Sequence, residues 1–489
     1  MFLGIDLGTS EVKVLLLNAQ HHIVASTGEP LSVSRPQPLW SEQHPEQWWA
    51  ATDTALLRLA EGHPAAMAAV QAIGLSGQMH GAVLLGADDT VLRPAILWND
   101  GRSGAECAEL EASCPGLREI TGNLAMPGFT APKLAWVRRH EPAVFAATRC
   151  VLLPKDWLRW RLCGEKVSDM SDASGTLWLD VGRRAWSAAA LAATGLSEAH
   201  MPRLVEGSAA AGHLLPALAK RWGLPAQVLI AGGGGDNAAS AVGMGAVQPE
   251  QGFVSLGTSG VIFLVGDRFR PNPAQAVHAF AHALPGTWHQ MSVMLSAASA
   301  LRWARELLGL PSEAALMDQV ATLGPERRAA APLFLPYLAG ERSPHNNPLA
   351  QGVLFGLTAA HGPADIGHAV MEGISYGLRD GWDSLGRAPG EVASLSLVGG
   401  GARSPLWAQW LASTLGVPLT THEGGEAGGA LGAARLAWLA CGGTVAQVCT
   451  VPPVSATYQP DLVQAALVAQ RLPRWRRLYR AVAGEFAGQ

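Results

Sequence analysis

The chain has 489 residues, 48% of them hydrophobic and 15% charged, with 56 glycines. That length predicts roughly two or three domains, and the composition predicts a well-buried α/β protein with many tight turns. The formal net charge of −4 excludes the basic footprint of a nucleic-acid binder, and no run of about 18 apolar residues reads as a membrane span.

The six cysteines, Cys107, Cys114, Cys150, Cys163, Cys441 and Cys449, form no C-x-x-C pair and no zinc-finger spacing. They read as reduced thiols. The opening MFLGIDLG carries no basic leader and reads as a strand rather than a signal peptide. These features predict a cytoplasmic protein with small-molecule partners, no nucleic acid and no membrane. A homodimer is left open.

Phe2 to Ile5 reads as a strand, Asp6 to Ser10 as a turn, and Val12 to Leu17 as the returning strand. No G-x-x-x-x-G-K-[ST] follows, so a Walker-type site is excluded. Gly8 with the Thr9 and Ser10 hydroxyls forms a turn whose N–H groups suit an anion. The pattern recurs. Phe253 to Ile262 repeats strand, L-G-T-S turn and strand, with Ser255 where Asp6 stood, 249 residues later. A repeat at half the chain length predicts two related halves, with a phosphate chain clamped between Gly8–Ser10 and Gly257, Thr258 and Ser259.

Between the repeats, Pro38 to Trp49 is aromatic and polar, and its tryptophans read as packing. Ala72 to Leu85 reads as strand, loop and strand. Its loop carries Gln78, Met79 and His80 between Gly77 and Gly81. A glycine-bracketed histidine suits a hydroxylated ligand; a solvated hairpin histidine is the plainer reading. Asn123 to Pro142 begins as a loop and becomes a helix around Lys133.

Val228 to Gly245, VLIAGGGGDNAASAVGMG, is the stretch on which the rest depends. A short apolar strand runs into four glycines, then Asp236 and an alanine-rich helix. A carboxylate on such a turn suits proton transfer or metal contact, or caps the helix. Gly243 to Gly252 reads as the hinge between the halves. In the second half, helices are expected at Leu295–Leu310 and after Pro363. A strand at Leu395–Val398 enters the glycine turn Gly399, Gly400 and Gly401, and a helix starts at Pro405. Such a turn accepts nucleotide against its backbone. Pro460 to Gln489 reads as a helix with a basic, solvated face around Arg471 to Arg480.

DLGTS, GGGGDN, SLGTSG and GGGAR, in that order and spacing, resemble the FGGY carbohydrate kinases. Gly128 to His140 and Gly352 to Glu372 resemble the two family signatures. SGQMHG, PLWSEQHPEQWW and ILWNDGR are similar to the members that act on D-xylulose. Glycerol-specific members have Arg and Glu where this chain has Met79 and His80. The resemblance implies an α/β, duplicated actin-like, ribonuclease-H-like ATPase fold with two domains and a central cleft. Residues 1–245 are expected to bind sugar and to carry the catalytic base. Residues 246–489 are expected to bind ATP.

The same resemblance implies that Asp236 is the base and that Asp6 lies by the magnesium and phosphates. Both would contact Mg²⁺, through water. It places Met79, His80, Asp236 and Asn237 at the sugar, and Gly399–Gly401 at the adenosine. The expected reaction is phosphorylation of D-xylulose by ATP, with no raised pKa required of Asp236. The alternatives are another sugar, such as ribulose, gluconate or a deoxy-ketose, or a non-catalytic nucleotide switch. One departure stands out: four glycines precede Asp236 where three are expected.

Overall fold

The computed structural model describes residues 1–423 and 428–488. The first hairpin forms as its alternation predicts, from β1 (Phe2–Leu7) and β2 (Glu11–Leu17), and β3 (Ile23–Pro30) extends it. β4 (Ala72–Gly77) lies parallel to β1, β6 (Leu229–Ala231) lies parallel to β4, and β5 (Ala210–His213) closes the edge antiparallel to β6. The order across this sheet is β5–β6–β4–β1–β2–β3. A two-residue strand, β7 (Gly234–Gly235), continues β6 along β4.

The second half repeats the pattern. β8 (Gly252–Leu256) and β9 (Gly260–Gly266) form the hairpin. β10 (His278–Ala281) and β11 (Trp288–Met294) add antiparallel strands beside β9. β12 (Leu395–Val398) lies parallel to β8, β13 (Leu419–His422) parallel to β12, and β14 (Val454–Tyr458) antiparallel to β13. Apart from the additional edge strand β10, the two sheets match strand for strand in order and direction. This is the duplicated actin-like fold.

Two helices join the lobes. α1 (Asp236–Met244) leaves the first sheet, and its counterpart α2 (Gly428–Ala440) leaves the second. α2 does not stay with its own sheet. Ala430, Ala434 and Ala437 pack with Phe2, Leu15 and Ala72 of the first sheet and with Ala238 and Val242 of α1. The approach is close enough that a methyl group on Gly4 or Gly74 would stand about 2 Å from a backbone carbonyl of α2. A division at 245/246 therefore assigns α2 to the second half by sequence while it packs on the first sheet.

The expected helices appear at Ala298–Leu307, Pro363–Ser384 and Pro405–Leu415. The C-terminal helix spans Leu462–Val482, and Gln489 lies outside the described residues. Its basic stretch is a solvated face only in part: Arg474, Arg477 and Arg480 are exposed as expected, and Arg471 turns inward. Arg471 is 5% exposed, and its guanidinium binds both oxygens of buried Glu372 at 2.8 and 2.7 Å. Trp475 is fully buried beside it. The helix lies across Pro363–Ser384, so its inward arginines meet carboxylates rather than water. Charge periodicity alone does not register that. No described helix is long and apolar enough to cross a membrane.

Candidate active site

Asp236 stands at the first position of α1, with Gly235 rather than Asp236 as the cap. Its Oδ1 accepts the Asn237 backbone N–H at 2.7 Å and the Asn237 side-chain amide at 2.9 Å. Among the described residues Oδ2 has no partner. The fourth glycine has a local consequence. β4 pairs Ile73 with Ile230 and Ser76 with Gly234, three residues against four. The surplus residue is a bulge, and Gly233 within it takes φ +78°. Any Cβ at Gly233 would meet the Leu75 carbonyl at 2.3 Å. The run therefore re-aims the chain at the base of Asp236 and leaves the Asp–Asn pair in place.

Asp6 comes from the adjacent part of the sheet. It pairs in register with Ser76, and Ser76 with Gly234 on the other side. Asp6 Oδ1 is buried and without a hydrogen-bond partner among the described residues. Burial raises the Asp6 carboxyl above its usual range, against the pull of Ser76 and Lys13. Asp236 is pushed up to about 7, first by burial and then by the Asp6 charge. Two carboxylates whose charges interact, each with an unpartnered oxygen among the described residues, can share a proton or hold a divalent cation.

The Gly77–Gly81 loop lies alongside. Met79 is 5% exposed and packs against Gly235, where an added Cβ would sit 2.9 Å from Met79 Sδ. His80 takes φ +69°, a costly conformation for a non-glycine residue. Its carbonyl is held by Lys133 Nζ at 2.8 Å and Thr130 Oγ1 at 3.1 Å. Its Nδ1 lies 2.7 Å from the Gly175 carbonyl. Burial, with Lys133 and Arg342 nearby, lowers the imidazole to about 3. The ring is neutral, and because a carbonyl only accepts, Nδ1 carries the hydrogen. Nε2 is then an acceptor, the right partner for a hydroxyl. The solvated-hairpin reading fails: the strand after the loop (Val83–Leu85) pairs with Cys150–Leu152, not with β4.

Gly8, Thr9 and Ser10 form the turn at the end of the same sheet. The Thr9 hydroxyl donates to Gln78 Oε1 at 2.9 Å and accepts from Trp98 Nε1 at 2.9 Å. Gln43 donates to the Thr9 carbonyl at 2.8 Å, and buried Trp48 holds Gln43. Gln78 was visible in its glycine-bracketed loop. The parts played by Gln43, Trp98, Thr130 and Lys133 carry no local sequence signal, since each is brought in by a long-range crossing.

Gly257, Thr258 and Ser259 form the equivalent turn of the other lobe, and α3 (Ala298–Leu307) begins on it. Ala298 N–H donates to the Gly257 carbonyl at 2.9 Å and the Ser299 hydroxyl to the Thr258 carbonyl at 2.8 Å. Gly399 lies against the end of β8, where a Cβ would meet the Leu256 carbonyl at 2.7 Å. Gly400 and Gly401 line a pocket of about 620 Å³ with Leu301, Met317 and Trp407. The site residues thus fall into two groups: Asp6, Gly8–Ser10, Met79, His80, Asp236 and Asn237 on one lobe, and Gly257–Ser259 with Gly399–Gly401 on the other. No hydrogen bond among the described residues joins them.

Residues 1–243 match the model of the N-terminal domain of the FGGY family of carbohydrate kinases, and residues 252–441 match that of the C-terminal domain. The chain is 54% identical to the xylulose kinase of Escherichia coli over 98% of its own length and 99% of the relative's. It is 56% identical to that of Klebsiella pneumoniae over 90% of each. The crystal structure of a xyloylose kinase from Brucella ovis superposes with a TM-score of 0.95 at 50% identity over 99% of both chains. A glycerol kinase from Plasmodium falciparum, with a TM-score of 0.89, 18% identity and coverage of 98% and 97%, shares the fold. Domain models on both sides of the cleft and relatives aligned end to end agree with the duplicated sheets. The chain belongs to the FGGY family of carbohydrate kinases.

Proposed function

We propose that the chain transfers the γ-phosphoryl group of ATP to D-xylulose, giving ADP and D-xylulose 5-phosphate. The observation that carries this reading is Asp236: a carboxylate with one free oxygen, pushed up to about 7, beside the sugar-suited His80 loop. The likeness to xylulose kinases at 54% and 56% identity supplies the sugar.

Asp236 Oδ2 orients the terminal hydroxyl of the sugar and accepts its proton as the phosphoryl group leaves ATP. A base poised near neutral pH gains proton affinity without being blocked at working pH. His80 Nε2 accepts a second hydroxyl, and Asn237 and Met79 shape the remaining wall. Residues 1–245 make this sugar-binding lobe. Residues 246–489 make the nucleotide lobe, with adenosine in the pocket at Gly399–Gly401. The transition state is loose and highly charged, so positioning and charge stabilisation dominate. The turns Gly8–Ser10 and Gly257–Ser259 present backbone N–H groups for that purpose. Asp6, with its unpaired buried Oδ1, and Asp236 fit a magnesium ion held through water. Such an ion neutralises charge on the phosphate oxygens. The reaction uses soluble metabolites in the cytoplasm.

A coupled ADP assay across D-xylulose, D-ribulose, gluconate and glycerol tests the reading. D-Xylulose should give the highest kcat/KM. A higher value for any other sugar would replace the proposed substrate, and sugar-independent turnover alone would replace the reaction class.

A further inference from the structure

The bulge that carries Asp236 is gripped from behind by side chains with no contact to the sugar loop's open face. Arg159 lies on α4 (Pro154–Cys163) and is fully buried. Its guanidinium donates to the Gly232 carbonyl, to the Val167 carbonyl and to Asp156 Oδ1. Three residues beyond Gly232, the Gly235 N–H donates to Ser171 Oγ at 3.1 Å. The Ser171 hydroxyl donates in turn to Asp169 Oδ2 at 2.5 Å, which fixes its lone pairs toward Gly235. Both ends of the bulge are therefore held by buried polar groups.

Those groups are anchored in one ion cluster. Lys155 Nζ stands 2.5 Å from Asp156, 2.6 Å from Asp169 and 3.2 Å from Asp172. The ammonium fills the centre of the three carboxylates, so no metal ion is called for there. Burial holds the Asp172 carboxyl well above its usual range, despite Lys155. Arg159 adds a second cation to the cluster, 2.6 Å from Asp156. The same helix also reaches the sugar loop. A Cβ at Gly81 would meet Pro154 Cγ at 2.4 Å, and one at Gly77 would meet Lys155 Cβ at 3.0 Å. α4 thus touches both glycines that bracket His80 and, one turn on, the bulge below Asp236.

We propose that Arg159 and Ser171 are positioning residues that hold the catalytic base in register with the sugar loop, with the Lys155–Asp156–Asp169 cluster as their anchor. Neither touches substrate. They act by fixing where Asp236 stands, and a misplacement on the ångström scale at the reacting atoms costs about 100-fold in rate. The proposal rests on Asp236 being the base.

The test uses the full chain with D-xylulose and ATP. Ser171→Ala removes one hydroxyl and the acceptor for Gly235. It should lower kcat by roughly 10- to 100-fold, with the KM for sugar within about twofold of the parent value. Ser171→Thr restores a hydroxyl and should recover most of the loss. Arg159→Lys keeps the charge and cannot make all three bonds; it should behave like Ser171→Ala and stands in if that variant fails to fold. Calorimetric titration with ADP should be unchanged in every variant. A folded Ser171→Ala or Arg159→Lys with a lowered melting temperature and full kcat would make the contacts merely structural and overturn the proposal. Asp236→Asn separates the two levels. If it keeps turnover, the base reading fails; if it is inactive while Ser171→Ala is not, only the positioning role fails.

Discussion

At the residue scale, Asp236 binds its proton differently in the folded and unfolded chain. Its ordinary value of 3.8 is raised to about 7 by burial and by Asp6. Between those values the folded state holds a proton that the unfolded state has released, so stability falls as pH rises through that window. Asp236→Asn cannot ionise and should gain at pH 8 by about 2 kcal/mol, discounted for the partly open site, with the gain vanishing below pH 4. Melting curves at the two pH values check the sign. Turnover should move oppositely: Asp236→Asn is expected to be inactive, and kcat/KM of the parent should fall on an acid limb near pH 7. A limb near 4 would mean that neither burial nor Asp6 raises the base. His80→Asn is the informative change in the sugar loop, because Asn tolerates positive φ. It should raise the KM for D-xylulose about tenfold, the loss of one hydrogen bond, with nucleotide affinity unchanged. The carboxylate and the histidine were legible in their glycine-flanked turns. The raised pKa was not, because burial, its main cause, exists only in the folded chain, and Asp6, the second, is brought in from the far end of the lobe's sequence.

At the element scale, the two crossing helices α1 and α2 are made of small residues for a reason. A Cβ on Gly432 would stand 1.7 Å from the Ala239 carbonyl, so the helices touch backbone to backbone. Gly432→Ala must push them apart and should cost on the order of 2–3 kcal/mol. Because α1 begins at Asp236, it should also lower kcat. Thermal unfolding and single-turnover rates read the two effects separately, and full activity at a lowered melting temperature would show that the base does not feel the crossing. Both hairpins, the glycine turn before Pro405 and the long helix after Pro363 were readable from local pattern and turn residues. The seat of α2 on the opposite sheet was not, since a run of alanine and glycine specifies close packing without naming the partner. The buried face around Arg471 was missed for the same reason: Glu372 reaches it from 99 residues away.

At the scale of the whole molecule, the proposed assignment divides sugar and nucleotide between the two lobes, and the reacting atoms must approach to about 3–3.5 Å. D-Xylulose with a non-hydrolysable ATP analogue is expected to make the molecule more compact. Small-angle scattering and the emission of the 17 tryptophans measure this, and an unchanged radius of gyration at saturation would mean a preformed cleft. The motion is bounded on one side. Asn123 binds the Ala279 carbonyl at 3.0 Å, Ser174 accepts the Ala281 N–H at 3.0 Å, and Arg184 donates to the Thr287 carbonyl at 2.8 Å. The β10–β11 edge of the second sheet is thereby stapled to the first lobe, so the expected closure would pivot about that seam as well as about the expected hinge at Gly243 to Gly252.

The exchange of α2 between the halves also bears on how the chain is made. A ribosome completes the first sheet long before it reaches residues 428–440, yet the face bearing Gly4 and Gly74 is packed closely by that helix. During synthesis the sheet waits with an apolar surface open to water and to other nascent chains. A fragment ending at residue 245 should therefore aggregate when expressed alone and become soluble when residues 246–489 are supplied in the same cell. The last eighth or so of the polypeptide to emerge includes the piece that seals the first lobe, so a premature stop shortly before it would leave the first lobe unprotected rather than merely lacking the second.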